Sequence, residues 1–364
     1  MKKQYDKKRV VLNLILIAAS VALLIYANEN MSFYSKRIIN LCAVYAIMGL
    51  SMNLINGFTG MFSLGSAGFM AIGAYAVAIF TVPVDVRAEV FYLQPMWPLI
   101  ANIHIGFLPA MILGGFLSAI AAFLIGFPVL RLRGDYLAIA TLGFSEIIRI
   151  AFTNLQTVTN GPLGIKYIPS FDEIWWPVGV AIVTTVFMFL LIKSTYGRAF
   201  KAIREDEIAA EAMGINLFKH KMLSFVISGF MAGMGGALMA GILGTIDPKQ
   251  FLFTLTYNFL LIIVLGGMGS ISGTIISSVI VTAGLEWLRI ADEPMIMFGY
   301  HIPMFRPGFR MVVFSILLMA IVLFFSKGLM GTKELSWELL GNWYKRQRAR
   351  FIKKDPSLKG GGSK

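Results

Sequence analysis

Long apolar runs separated by short polar intervals dominate the chain. Ten such runs lie at about 10–27, 38–56, 61–82, 105–130, 137–152, 176–192, 223–245, 255–268, 271–290 and 309–326. A helix crossing the hydrocarbon core of a bilayer needs about 20 predominantly apolar residues, with a range of ~17–25. Most of the runs meet that length. The fifth and eighth fall short, which suggests less tilt, partial burial or interruption by glycine. The pattern predicts an all-α integral membrane protein of about ten transmembrane helices. It divides the chain into a basic N-terminus at 1–9, a membrane domain at 10–326 and a basic tail at 327–364, whose last residues are Gly/Ser/Lys-rich and expected to lack fixed structure.

Composition agrees. Hydrophobic residues make up 57% of the chain and charged residues 14%, with a mean hydropathy of +0.75. Soluble domains average about 45–50% apolar and about 25% charged. The start resembles a secretory signal, with five basic residues before an apolar stretch, but 10–27 is longer than the usual signal core and further spans follow. It is therefore expected to remain as a first helix.

Charge supplies a topology. With the N-terminus inside, the cytoplasmic segments would be 1–9, 57–60, 131–136, 193–222, 269–270 and 327–364. They carry 23 of the 32 Lys and Arg residues, and the external segments carry 6. Cytoplasmic loops are enriched in Lys and Arg, so both termini are expected in the cytoplasm of a cell (plasma or inner) membrane. The net charge of +13 then belongs to the borders of spans, and a nucleic-acid partner is not expected. Trp97, Trp175, Trp176 and Tyr92 sit at external span ends, as interfacial aromatic anchors do.

The largest cytoplasmic interval, 193–222, is rich in Ala, Glu, Lys and Met, so helix is its expected state. Ala199, Ile203, Ala210 and Met213 form a modest apolar stripe, and Gly214 is a natural stop. Glu205, Asp206 and Glu207 are suited to start a second short helix. Such a segment can dock a soluble partner or lie on anionic lipid; the residues alone leave both open.

Two glycine-rich interruptions follow the second and eighth runs. One contains Asn56, Gly57 and Gly60 and continues through Ser63, Gly65 and Ser66. The other contains Gly266, Gly267, Gly269 and Ser270. Irregular backbone at membrane depth is tolerated where it is buried in protein or lines a water-filled path. These residues, with Thr141 and Glu146, are the translocation-path candidates, and close helix packing is the competing account. Glu146 with Arg149 and Glu286 with Arg289 share helix faces at a spacing of three. They are functional candidates by default or pairs that neutralise one another near the interface.

Several chemistries find no support. Cys42 is the lone cysteine and lies in an apolar run, so neither a disulfide within the chain nor a cysteine metal site follows. There is no phosphate-binding GxxxxGK[ST] motif and no HExxH. His104, His220 and His301 are scattered, and no catalytic residue or resident metal is expected.

Four stretches together resemble a known family: GFTGMFSLG at 57–65, continuing to AIGAY at 71–75; LRLRGDYLAIATLGFSE at 130–146; TNGPLGI at 159–165; and 197–216, where Ala209 and Ala210 precede Gly214 as in the EAA motif of ABC permeases. In this order they resemble the LivM-type permease subunits of ABC importers for branched-chain amino acids. Many relatives carry Gln and His where this chain has Met61 and Ser66.

The resemblance implies a fold like the type II importer class, with an inverted repeat. It implies that Gly197, Arg198, Ala199, Arg204, Glu205, Asp206, Glu207, Ala209, Ala210 and Gly214 form a coupling loop in a groove of a separate ATPase. The implied partners are two ABC ATPase subunits, a second LivH-like permease, an external solute-binding protein and the lipid bilayer. ATP and Mg would be bound by the ATPases, leaving this chain without a cofactor and without enzymatic activity. Leu, Ile or Val is the implied solute. A urea or short-amide importer permease, a secondary transporter and an intramembrane enzyme are the rival readings.

Overall fold

A computed structural model describes residues 22 and 24–288, apart from Arg133 and Asp172, and then scattered positions from 296 to 334. Most of the first and last expected spans, Arg289 and the basic ends lie outside the described residues. Its regular elements are helices, apart from one two-residue antiparallel pair, β1 (Ile296–Met297) and β2 (Tyr300–His301), and an isolated bridge between Ile165 and Ile246.

The apolar helices are α1 (Phe33–Asn53), α2 (Ser66–Thr81), α3 (Phe107–Val129), α4 (Asp135–Asn154) and α5 (Trp175–Lys193). After two short polar helices, α6 (Thr195–Glu205) and α7 (Glu207–Ala212), come α8 (Leu217–Leu243), α9 (Phe253–Gly266) and α10 (Ile271–Trp287). Each expected span from the second to the ninth thus contains a helix. By length and hydropathy, five described helices can cross a membrane, or six if α2 and the bent continuation Val84–Val90 form one span. For the eight expected spans within the described residues, the shortfall has a physical cause. At 1.5 Å per residue, the 14 residues of α9 reach only about 21 Å, against a core of about 30 Å. Glycine cuts α9 from α10, and residues 59–65 delay the start of α2 to Ser66, five residues later than hydropathy predicts.

The core is organised around α8, which packs on α1, α2 and α3. Small residues allow backbone-to-backbone approach there. A Cβ on Gly73 of α2 would collide with the Gly233 carbonyl of α8, and one on Gly236 with the Met70 carbonyl. Hydroxyls join the same helices: Ser51 Oγ donates to the Ser228 carbonyl at 2.8 Å, and Ser118 Oγ to the Gly229 carbonyl at 2.7 Å. Such interhelical bonds average about 0.6 kcal/mol in a membrane, so their contribution is mainly to register. Between them lie the fully buried Met70, Tyr75, Phe225, Phe251 and Phe259.

The end of the bundle opposite α6 and α7 is closed by loops that satisfy helix ends. The buried Arg87 guanidinium donates to the carbonyls of Val82, Ile100, Ala101 and Ile103 at 2.6–3.1 Å. Asn160, at φ 59°, donates to Val90 and Gly164 at 2.9 and 2.7 Å. Backbone N–H groups of Ile168 and Phe171 reach Gly244 and Gly241 at the end of α8.

Candidate functional site

The interval 193–222 contains two helices with a sharp break. Ser194 caps α6 through Gly197 N–H at 3.4 Å. Asp206, at φ −159°, interrupts the helix and caps α7, its Oδ1 accepting from Ile208 and Ala209 N–H at 2.8 and 3.0 Å. Gly214, at φ 84°, ends α7 as the sequence anticipates, because that left-handed conformation is open to glycine. Lys221 of α8 pairs with Glu207 at 2.6 Å and ties α7 back to the membrane domain.

This unit has two faces. Gly197, Phe200 and Ile203 point inward. Phe200 is fully buried with Leu50, Leu54, Phe58, Met188, Ile192, Met231 and Ile271, drawn from α1, α5, α8 and α10. Gly197 lies so close to α5 that a Cβ would strike the Ile192 backbone. Ala210 is buried and Ala199 half-buried, whereas Arg198, Glu205, Ala209 and Gly214 are exposed. The expected apolar stripe is therefore divided. Ile203 and Ala210 belong to the core, but Met213 is 83% exposed and Ile208, which the stripe omitted, is 79% exposed. Both are exposed apolar side chains, one on α7 and one at its C-terminal end.

Arg204 joins this unit to both glycine interruptions. Its Nη1 donates to the Gly57 carbonyl at 3.1 Å, while Nε and Nη2 hold Glu205 Oε1. Gly60, at φ 77°, lies against Arg204, and a Cβ there would sit 3.0 Å from the Arg204 Cα. A Cβ on Gly269 would sit 2.8 Å from Arg204 Nη1. The two interruptions also bind one another. Asn53 Oδ1 accepts from Gly269 N–H at 2.8 Å, and its Nδ2 donates to the Ser270 carbonyl and Thr274 Oγ1 at 3.0 and 2.7 Å.

The first interruption begins as a π-helix over Leu54–Phe58. Asn56 holds the returning loop, accepting from Ser63 N–H at 3.2 Å and donating to its carbonyl at 3.3 Å. The buried Thr141 of α4 accepts from Leu64 N–H at 3.0 Å, and Gly65 packs against its carbonyl. Asn56, Gly60, Ser63, Gly65 and Thr141 thus form one cluster; Gly266, Gly267, Gly269 and Ser270 form a second that meets it through Asn53 and Arg204. Every one of these glycines meets protein atoms rather than open space, as close packing requires. Glu146 pairs with Arg149 at 2.7 Å on α4. Its other oxygen, Oε1, is buried without a hydrogen bond.

A cavity of about 880 Å³ lies elsewhere, between α3, α5 and α8. Phe116, Trp176, Val183, Phe187 and Phe230 are among its walls, and Thr184 is the one polar side chain lining it. So apolar a lining, with no charged side chain, is poorly matched to the paired charges of a zwitterionic solute. Among the described residues, no group of three or more His, Cys, Asp or Glu could hold a metal ion.

Sequence reasoning missed Asn53, Phe200 and Ile208. Asn53 was legible as an amide within an apolar run, three residues before Asn56. The inward direction of Phe200 follows from its spacing of three with Gly197 and Ile203.

Comparison with known proteins gives a consistent answer. The family profile described as the permease component of branched-chain amino acid transport systems matches residues 34–322. The chain is 35% identical over 300 residues to the high-affinity branched-chain amino acid transport system permease protein LivM of Salmonella typhimurium, covering 73% of this chain and 66% of that protein. It is 34% identical over 297 residues to LivM of Escherichia coli, covering 72% and 65%. The matched region thus spans slightly less than two thirds of those relatives' own length. The LivH permease protein of Salmonella typhimurium is 25% identical over 70% of this chain and 85% of its own length. No solved structure matches.

Proposed function

The chain belongs to the family of permease components of branched-chain amino acid transport systems, and on that premise we propose that it is a transmembrane permease subunit of an ATP-driven importer for Leu, Ile or Val. One observation carries the mechanism: the cytoplasmic unit α6–α7 exposes two apolar side chains, Ile208 and Met213, while Arg204 and Phe200 root it in the membrane domain. A purely lipid-bound helix has no need of that second attachment. The unit docks in a groove of a separate ABC ATPase. Closure of two ATPases pushes α6, and Arg204 and Phe200 pass that displacement to α1, α5, α8 and α10.

In this reading the permease has ten spans, both termini in the cytoplasm and an inverted repeat. An external solute-binding protein delivers the solute. The path lies where the glycine-rich clusters approach a second, LivH-like permease, because the chain's own large cavity is apolar. ATP and Mg belong to the ATPases.

Uptake of labelled leucine in cells expressing the complete transporter tests the reading. Ile208→Asp is expected to abolish both uptake and co-purification of the ATPases while leaving the permease at its normal level. Normal uptake by that variant would remove the docking assignment. Uptake of urea in place of branched-chain amino acids would redirect the solute class.

A further inference from the structure

The glycine interruption between α9 and α10 is closed on a second side by residues that follow the last apolar run. The final carbonyls of a helix lack partners within it. Here Leu329 N–H donates to the Leu265 carbonyl at 2.7 Å and Met330 N–H to the Gly266 carbonyl at 3.2 Å. Gly267 and Gly331 are in backbone contact, so that a Cβ on Gly267 would collide with the Gly331 carbonyl. Glu334 then reaches the start of α10. Its Oε1 accepts from Ile271 N–H at 2.7 Å, and its Oε2 from Ser272 N–H and Ser272 Oγ at 3.0 and 2.6 Å.

A carboxylate at a helix N-terminus gains from the helix dipole, and hydrogen bonds to a charged acceptor are stronger than neutral ones. Glu334 thus adds three hydrogen bonds at the start of α10 to those that Asn53 makes with Gly269, Ser270 and Thr274. Gly267 and Gly269 adopt φ of 108° and 91°, where rotation meets little steric resistance in glycine. Arg204 bears on this element from the cytoplasmic unit, next to Gly269.

We propose that Glu334 is a positioning residue for coupling: it pins the start of α10 at the α9–α10 interruption, so that a push through Arg204 moves α10 instead of being absorbed at Gly267–Gly269. The inference rests on the coupling-loop reading above. Without the anchor, the two glycines rotate, the helix start moves little, and ATP hydrolysis is spent without transport.

The complete transporter, with its ATPases and binding protein, is reconstituted in vesicles, and ATP hydrolysis and labelled-leucine uptake are read in the same preparation. Glu334→Ala is expected to lower uptake per ATP hydrolysed about tenfold while hydrolysis stays within about twofold, and Glu334→Gln, which keeps its shape and loses its charge, to lower the ratio about threefold. Glu334→Asp should recover part of the ratio. An unchanged ratio in Glu334→Ala would overturn the proposal. So would a parallel fall of hydrolysis and uptake in both the Ala and Gln variants, since that marks a structural role. Ile208→Asp is run alongside. If it is defective and Glu334→Ala is normal, only this inference fails; if Ile208→Asp is normal, the coupling-loop reading itself fails.

Discussion

Arg204 and Gly57 are 147 residues apart in sequence, yet the guanidinium of one donates to the carbonyl of the other at 3.1 Å. The contact links α6 to the π-turn that ends α1. The same guanidinium lies beside Gly269, so one side chain touches both places where the membrane helices are interrupted.

Removing that side chain separates docking from transmission. Arg204→Ala loses a charged hydrogen bond, which at this partly exposed position is worth about 1.5 kcal/mol. The ATPases should still co-purify, because the exposed Ile208 and Met213 are unchanged, and leucine uptake should fall about tenfold. Arg204→Lys retains the charge without the planar fork and is expected to be intermediate. Uptake assays paired with affinity co-purification check both parts.

The two faces of the cytoplasmic unit should respond in opposite ways. Phe200→Ala empties a fully buried site and should cost about 3–5 kcal/mol, visible as lower thermal stability of the purified permease in detergent. Ile208→Asp and Met213→Asp alter exposed positions and should stay within about 0.5 kcal/mol of the parent, while weakening ATPase binding.

Glu207 and Lys221 form an intramolecular pair at 2.6 Å, with Glu207 43% exposed. Solvent screening limits the pair to about 0.5–1 kcal/mol. Glu207→Lys should weaken uptake by displacing α7, and the exchange of both residues, Glu207→Lys with Lys221→Glu, should recover most of it. A double-mutant cycle on thermal stability measures the coupling. Charge reversal at Glu207 alone therefore reports on the anchoring of α7 as well as on any contact with a partner.

At the crossing of α2 and α8 there is no space for a side chain. Gly236→Val would drive methyl groups into the Met70 backbone, and overpacking of this kind costs about 1–3 kcal/mol or more. Loss of the monodisperse peak in fluorescence-detected size-exclusion chromatography is expected. Gly143→Ala, at a site with open space around it, should leave the peak unchanged.

Hydropathy and charge were enough to make this an all-helical membrane protein, because the cost of exposing backbone or charge to hydrocarbon acts on each segment independently. Local chemistry also fixed the helix–break–helix form of 193–222: the Asp206 cap and the Gly214 stop depend on neighbours within four residues. What depends on distant backbone was decided only in three dimensions. Met213 was placed on the same stripe as Ile203, but the break at Asp206 turns α7 relative to α6, so that Met213 faces outward with Ile208. Glycine content announced close approach without saying what approaches. That Gly73 meets Gly233, that Gly57 and Gly269 share Arg204, and that Glu334 reaches Ile271 all follow from how helices cross. A sequence period records which face of a helix is apolar and carries no information about the partner that covers it.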